Sequence, residues 1–332
     1  MREFGSVTIG RARGSADLKR LLSDPWFDSE VYIVKPSWYS PHPANFTDAE
    51  TLGILLDALD GRVVVTEAYS TDRQDGSMRF TVDGEAVDWR WTMKHPSWDW
   101  IREEGRWDQI REQDRWFLDK YGFTDLFEEH GVEYVNVTEE VWQGRTADPQ
   151  RVKEAVEAIF SPLFREELYG YMPQRLYELR AAPLISFGRV KGIRGKYPSL
   201  TMKNLFGFIP DPLRAWWHGP GDKWLGRSIV DINKVYAALF NVYGICEAIK
   251  TATVDHPQGE VKVPWGSYNI VRDPGVVALG RHLVSLDAVL CGLMGVDPER
   301  ISYLQLGEEA FGPYDKLQVE EAKAEAALWF PF

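Results

Sequence analysis

Cysteine is scarce in this chain, whose 332 residues include only Cys246 and Cys291. Two thiols cannot by themselves build a disulfide framework, a four-thiolate iron–sulfur centre or a structural zinc site. We therefore expect no intrinsic iron–sulfur cluster, and the sequence leaves any other cofactor unknown. Both cysteines have apolar neighbours and the first residues lack the apolar stretch of a signal peptide, which predicts reduced, buried thiols in a cytoplasmic protein.

Long apolar runs and familiar catalytic motifs are missing as well. No uncharged apolar run approaches about 18 residues, so the sequence predicts no membrane-spanning helix. Without an H-E-x-x-H, G-x-S-x-G or Cys–His arrangement, zinc-protease, serine-hydrolase and thiol-nucleophile functions have no motif behind them. The net charge of −12, from 38 basic and 50 acidic residues, disfavours nucleic acids and anionic membranes as partners.

The clearest pattern present is a strand, a helix and a second strand in succession. Residues 31–34 form a compact apolar run, leucines recur at helical spacing over 52–59, and residues 62–66 form another β-branched run. Thr47 and Glu50 are predicted to form a capping box for the helix. This order predicts a single α/β domain over residues 1–332, with a mainly parallel sheet and flanking helices. Ligands of such sheets bind beyond the carboxyl ends of the strands, here near Lys35 and Glu67.

Tryptophan is concentrated in the middle of the chain, where residues 89–142 hold seven of the fourteen. Charged residues surround these tryptophans, which predicts a helical, Trp-rich insertion at about 89–130. Aromatic residues that pin the insertion onto the core are one interpretation. A platform that stacks on sugars or bases is the alternative.

A basic segment stands out against the acidic chain. Residues 189–227 contain eight Lys and Arg against two Asp, a balance of +6, so the remainder carries −18. Such a cluster is either a solvated loop paired with acidic helices elsewhere or a pocket for an anion. Lys203 favours the pocket, because it lies in an apolar helical run and a buried lysine needs a partner.

His218 follows two tryptophans within the basic segment. A histidine in that position is either a packed, hydrogen-bonded residue or a base whose pKa nearby cations depress. Asp222 lies four residues on, but the intervening Gly-Pro-Gly forbids a helix that would bring the two together. A metal site from His218, Asp222 and Asp231 therefore has no support from spacing.

The last third of the chain predicts a central strand at 275–280 and then a helix that begins at Ser285 or Asp287. An Ala/Glu/Lys helix over 319–328 ends in the aromatic tail Trp329-Phe330-Pro331-Phe332. That tail is expected to dock on the body of the protein or on a partner subunit, which would make a homo-oligomer.

Several of these blocks occur in an order typical of one family. They are Val34-Lys35-Pro36, Val63 to Glu67, Leu184-Ile185-Ser186, Thr201 to Gly207, Gly275 to Gly280 and Leu286-Asp287-Ala288-Val289. From about Val31 to Gly312 the chain thereby resembles the domain-of-unknown-function 362 family. It departs from the family at Ser37, where Asn is usual, at Lys191-Gly192-Ile193, where Lys-Thr-His is common, and in lacking the ferredoxin-type cysteines that some members carry. The resemblance implies positions for these blocks but no reaction.

These observations favour an enzyme that acts on a small anionic ligand carrying a carboxylate or phosphate group. The residues assigned to the anion are Lys35, Arg189, Lys191, Arg194, Lys203 and Asn204. Glu67 and His218 are the candidate acid and base, and Asp287 orients a lysine or a helix terminus. Each has a simpler role: Glu67 pairs with Lys35, or Asp287 is only a helix-terminal carboxylate.

Two other functions are consistent with the same sequence. The first is a redox protein that works with an external iron–sulfur or flavin partner, which the family resemblance implies. The second is a non-catalytic module that grips RNA or another polyanion through basic residues beside Tyr197, Trp216, Trp217 and Trp224.

Overall fold

The structure is a computed structural model that describes residues 1–23, 27–74, 81–87, 89–95, 97–103, 105–192, 198–263 and 266–330. The strands are β1 (Arg2–Phe4), β2 (Val7–Arg11), β3 (Val31–Pro36), β4 (Arg62–Glu67), β5 (Thr81–Val82), β6 (Glu85–Ala86), β7 (Glu133–Asn136), β8 (Pro183–Arg189), β9 (Asn241–Ala248), β10 (Thr251–Asp255), β11 (Val261–Val263), β12 (Gly266–Arg272) and β13 (Val276–Gly280).

Helices connect and cover these strands. The α-helices are α1 (Ser15–Leu21), α2 (Ala49–Ala58), α3 (Trp89–Lys94), α4 (Trp100–Glu103), α5 (Trp107–Lys120), α6 (Phe123–His130), α7 (Val137–Trp142), α8 (Pro149–Glu157), α9 (Gln174–Glu178), α10 (Thr201–Leu205), α11 (Ala215–His218), α12 (Leu225–Leu239), α13 (Leu283–Leu293), α14 (Ser302–Phe311), α15 (Lys316–Ala324) and α16 (Ala326–Trp329). Short 3-10 turns span Glu166–Gly170, Phe206–Phe208, Pro220–Asp222 and Pro298–Arg300.

The centre of the fold is an eight-stranded sheet in the order β1-β2-β13-β9-β8-β3-β4-β7. The five strands from β9 to β7 run parallel to one another. At the other side β13 pairs antiparallel with both β9 and β2, and β2 pairs antiparallel with β1. The predicted class, an α/β fold with a mainly parallel sheet and flanking helices, is confirmed. A separate three-stranded sheet, β10-β12-β11, lies beyond the end of β9.

The first strand–helix–strand unit forms as its sequence predicts. β3 and β4 are buried at almost every position because helices cover both faces of a parallel sheet. The crossover helix α2 buries Leu52, Leu55 and Leu56 against them. The predicted capping box is wrong: Asp48 is the N-cap residue, and its carboxylate accepts a 2.8 Å hydrogen bond from Thr51 N.

The Trp-rich segment is helical and lies in the connection between β4 and β7. Its helices α5 and α6 carry Phe117, Phe123 and Phe127, which pack around the buried Trp38 just after β3. A smaller apolar cluster joins Ile101 to residues that follow β4 and β7. These contacts fit the interpretation in which aromatic residues pin the segment onto the core.

The helix near the C-terminus begins earlier than predicted. α13 starts at Leu283, and His282 caps it by accepting a hydrogen bond from Ser285 N. Ser285 and Asp287 therefore both lie inside α13. The strand that precedes it, β13, is completely buried between β2 and β9.

The aromatic tail packs against its own chain. Trp329 and Phe330 are buried in the main core, and the guanidinium of Arg11 lies 5.2 Å from the Trp329 ring centroid. Pro331 and Phe332 lie outside the described residues. A homo-oligomer formed through this tail stays a prediction. Of the helices described, none combines the length and apolarity that a membrane crossing needs.

Candidate functional site

Charged side chains follow neighbouring parallel strands at the edge where the strands end. Glu67 and Arg189 are the last residues of β4 and β8. Lys35 and Glu247 lie one residue before the ends of β3 and β9, and all four side chains are buried. Carboxyl ends of parallel strands meet at one edge of a sheet, which brings these groups together. We call this group, with Lys191 and Asn204, the strand-end cluster.

Lys35 and Glu67 form a buried ion pair. Lys35 Nζ lies 2.6 Å from Glu67 Oε2 and also donates to Pro36 O at 3.0 Å and Asn204 Oδ1 at 3.3 Å. Asn204 in turn donates to Lys35 O at 2.9 Å. Burial lowers the pKa of Lys35 to about 8, although Glu67 acts in the opposite direction. The positive charge of Lys35 is thus already balanced by the Glu67 carboxylate inside the protein.

Each nitrogen of the Arg189 guanidinium likewise has a partner inside the protein. Its Nη1 lies 2.7 Å from Glu247 Oε1, Nε donates to Ala44 O at 3.0 Å, and Nη2 donates to Thr251 O at 2.9 Å. The guanidinium therefore ties β8 and β9 to the loop that follows β3. Burial raises the pKa of Glu247, and the charge of Arg189 opposes that rise.

Lys191 differs from these two cations because its partners are neutral. Its Nζ donates to Ser37 Oγ at 2.9 Å and to Asn45 O at 3.1 Å, and only 4% of the residue is exposed. Among the described residues no carboxylate lies within ion-pair distance of Nζ. Burial lowers the pKa of Lys191 to about 7. The charges of Arg189, Lys203 and Lys35 act in the same direction, and the charge of Glu67 opposes them. A buried ammonium among cations is the arrangement that an added anion would stabilise.

Helix α10 brings Lys203 and Asn204 to the cluster, and Asp287 positions that helix. Asp287 accepts hydrogen bonds from Thr201 N and Met202 N, both at 2.9 Å, and from Thr201 Oγ1 at 2.5 Å. These are the first amides of α10, which no carbonyl of the helix itself can satisfy. The structure therefore places Asp287 at a helix terminus. Burial raises the pKa of Asp287 to about 7, whereas its hydrogen bonds lower it.

His218 and Asp222 come together despite the Gly-Pro-Gly between them. His218 Nδ1 lies 2.8 Å from Asp222 Oδ1, because Gly219 and Gly221 adopt positive φ values and the chain curls back through a 3-10 turn. No α-helix spans the two residues, as the sequence indicated, and the turn pairs them instead. The imidazole also contacts Phe206 edge-on, with ring centroids 5.2 Å apart. Asp231 lies elsewhere and accepts a hydrogen bond from Arg165 N at 3.1 Å.

Two buried arginines near Glu67 were not identified from the sequence. Arg214 Nη2 donates to Tyr69 O at 3.0 Å and Gly207 O at 3.2 Å, and lies 3.8 Å from Glu67 Oε1. Arg73 Nη2 lies 2.7 Å from Asp114 Oδ1. Arg214 was counted in the basic segment, but nothing in its local sequence signals the contacts. Arg73 follows the end of β4 by six residues, and only this position in the sequence could have indicated that it lies near the site.

The remaining assigned residues are placed as follows. Lys203 is half-buried on α10 and close enough to lower the pKa of Lys191. Arg194 lies within residues 193–197, outside the described part of the chain. In the part that is described, no three His, Cys, Asp or Glu side chains are arranged to hold a metal ion.

The parallel strands and the buried ion pairs at their ends define an α/β protein with a charged cluster where such folds bind ligands. The sequence profile of the family described as Domain of unknown function (DUF362) matches residues 33–292. This chain therefore belongs to that family, and the resemblance drawn from its sequence blocks is confirmed. No curated protein and no solved structure gives a significant match.

Proposed function

We propose that this protein is an enzyme that binds a small carboxylate- or phosphate-bearing substrate at the strand-end cluster. The observation that carries the proposal is Lys191, a buried ammonium with neutral partners beside Arg189, Lys35 and Lys203. An anion at this position would give Nζ the ion-pair partner that it lacks among the described residues.

The partners of Lys191 suggest how an anion is received. Asn45 lies in the loop between β3 and α2, so a shift of that loop would remove one acceptor from Nζ and admit a ligand oxygen. Ser37 could then donate its hydroxyl proton to the same anion. Lys203, half-buried on α10, would contact the ligand from the other side.

Glu67 and His218 are the acid and base of this proposal. Asp222 Oδ1 holds Nδ1 of His218 as a proton donor, which makes Nε2 the basic nitrogen of the ring. Glu67 lies between Lys35 and Arg214, and the ion pair fixes its carboxylate. Asn204 and Asp287 position the anion-binding groups and are not placed at the reacting atoms.

The buried state of the basic residues bears on the RNA-binding alternative. Arg189, Lys191 and Arg214 belong to the basic segment but are at least nine-tenths buried, so they present no surface to a polymer. A small anion, unlike a polyanion, can reach a buried site. The burial of these three residues therefore supports a small ligand over a polyanion.

The test measures binding of sulfate and malonate by isothermal titration calorimetry to the full chain and to Lys203→Ala. Loss of one charge-assisted contact is expected to weaken binding by about tenfold or more. Lys323→Ala, which removes an exposed lysine from α15, is the matched control and should bind like the unmodified protein.

Melting curves followed by circular dichroism show whether each variant is folded. A folded Lys203→Ala protein that binds both anions normally would refute the assignment of Lys203. Failure of the unmodified protein to bind either anion would refute the proposed site. If Lys203→Ala unfolds, Lys203 is structural and its place in the proposal is lost.

A further inference from the structure

A second candidate site lies between the Trp-rich segment and helix α11. A cavity of about 490 Å³ opens there, within the size range of small-molecule sites. Its aromatic walls are Trp98, Trp142, Tyr171, Trp216 and Trp217. Trp98 contacts Trp142 at 4.7 Å between ring centroids, and Tyr171 bridges Trp98 and Trp217 at 6.2 Å from each. The cavity is therefore bounded by rings from four separate parts of the chain.

Arg165 lies in this cavity and is only 9% exposed. Its guanidinium carbon lies 4.8 Å from the ring centroid of Trp216, 5.4 Å from that of Trp217 and 4.9 Å from that of Trp224. Its Nε is buried without a hydrogen-bond partner. Over the described ranges the guanidinium makes no ion pair and no hydrogen bond. The bonded groups of Arg165 belong to its backbone: its N–H donates to Asp231, and its carbonyl accepts from Leu168 N.

A buried guanidinium in this state lacks the anion that such groups usually have. Burial lowers the pKa of Arg165, and the nearest acidic influences, Glu167 and Asp231, only partly oppose it. The aromatic faces stabilise the cation but cannot accept its in-plane N–H groups. The polar edge of Arg165 is thus available to a ligand in the cavity.

The other charged residues of the cavity lie at its exposed rim. Arg102, Asp99 and Glu167 are all exposed, and Asp99 accepts a hydrogen bond from Ser97 Oγ at 2.9 Å. Solvent screens their charges, which cancel to within one unit, far more than it screens Arg165. The electrostatic potential deep in the cavity is therefore set by Arg165, and it is positive.

We propose that this cavity binds a small planar aromatic carboxylate, with the carboxylate on Arg165 and the ring between the indoles. A guanidinium presents two parallel N–H donors that match the two oxygens of a carboxylate. Indole faces favour stacked or edge-on contacts with another planar ring. This site is distinct from the strand-end cluster, although α11 contributes Trp216 and Trp217 here and His218 near Phe206.

The experiment titrates the full chain with 1-naphthoate in a calorimeter and compares two analogues. 1-Naphthamide keeps the ring and loses the charge, and cyclohexanecarboxylate keeps the charge and loses the planar ring. Binding of naphthoate, with each analogue weaker by about tenfold or more, is the expected result. Equal binding of the amide, or no binding of naphthoate by the folded protein, would overturn the proposal.

Variants locate the binding within the molecule. Arg165→Met and Trp98→Leu should each weaken naphthoate binding by about tenfold or more. The controls Arg300→Met and Trp116→Leu remove the same side chains outside the cavity and should leave binding unchanged. If Arg165→Met fails to fold, the Trp98→Leu result decides alone. Lys203→Ala should bind naphthoate normally, so a failure of the strand-end proposal leaves this one standing.

Discussion

A buried lysine whose partners are neutral releases its proton more readily than one paired with a carboxylate. Lys191 is in that position, since its Nζ is bonded to Ser37 Oγ and Asn45 O and its pKa is lowered to about 7 by burial and by neighbouring cations. An anion bound beside Nζ would favour the charged form and raise that pKa. Anion binding and proton uptake are therefore coupled at this residue.

We predict that sulfate binding takes up about one proton at pH 8 and almost none at pH 6, because Lys191 is already protonated at the lower pH. Affinity should accordingly fall by up to about tenfold per pH unit above pH 7. Calorimetric heats in buffers of different ionisation enthalpy measure the uptake. Lys191→Met should abolish it, and an uptake that persists in this variant would assign the proton to another group.

The Lys35–Glu67 pair gives a prediction about stability. Glu67→Gln leaves a buried ammonium without its carboxylate and should lower the free energy of unfolding by about 3–5 kcal/mol. Asp60→Asn, which breaks the exposed Lys19–Asp60 pair of the same 2.6 Å length, should cost less than about 1 kcal/mol. Urea unfolding measures both, and equal losses would contradict the role of burial.

At the scale of single residues, the sequence predicted where a side chain lies in the fold better than which side chain it pairs with. Lys35 and Glu67 were placed together because both end parallel strands, and their pairing was among the alternatives. The contact of Arg73 with Asp114 was not predictable in this way, because it joins residues 41 positions apart that meet only when α5 folds onto the segment after β4. Side-chain partners of this kind depend on tertiary packing.

Helix α10 depends on a carboxylate from another helix. Asp287 lies within α13 and accepts the first amide hydrogens of α10. The local sequence suggested that Asp287 begins its own helix, because an acidic residue ahead of an apolar run is typical of a helix N-terminus. His282 fills that role, and the side chain of Asp287 projects across to its neighbour.

We predict that this cap gives the protein a specific pH dependence. The pKa of Asp287 is raised to about 7 in the folded state, whereas an unfolded aspartate titrates near 3.9. The folded protein therefore holds the proton more tightly. This contribution to stability is complete below about pH 4 and is lost as the pH rises towards 7, by at most about 1.4 kcal/mol per pH unit.

Comparison with Asp287→Asn isolates the effect, because other titrating groups cancel in the difference. The stability of the unmodified protein relative to the variant should decline from pH 5 to pH 7 and level off above. Chemical unfolding at each pH measures it. A difference that does not change over this range would show that Asp287 stays ionised, held by its two backbone amides.

For the molecule as a whole, the two ends of the chain are linked. The N-terminal strands β1 and β2 join the sheet beside β13, and the C-terminal helix α16 lies against the same region. The sequence predicted the parallel half of the sheet from its strand–helix–strand order. It could not place β1 and β2, since antiparallel pairing between residues 7–11 and 276–280 leaves no periodic signal in either segment.

The aromatic tail provides a test at this scale. Trp329→Ala should lower the free energy of unfolding by about 3–5 kcal/mol, because the indole is 9% exposed and packs in the core of its own chain. The adjacent Leu328→Ala, at a residue 69% exposed, should change it by less than about 0.5 kcal/mol. If a partner subunit held the tail instead, the melting temperature would rise with protein concentration.

Gly207 has a consequence for how this family varies. A Cβ atom at this position would lie 2.6 Å from Glu67 Oε1 and still closer to Lys35 Nζ. A side chain at 207 therefore has to displace the ends of Lys35 and Glu67 and disturb their ion pair. In an alignment of homologues, chains that replace the glycine should also have lost the lysine or the glutamate, so these three alignment columns should covary although 32 and 140 residues separate them.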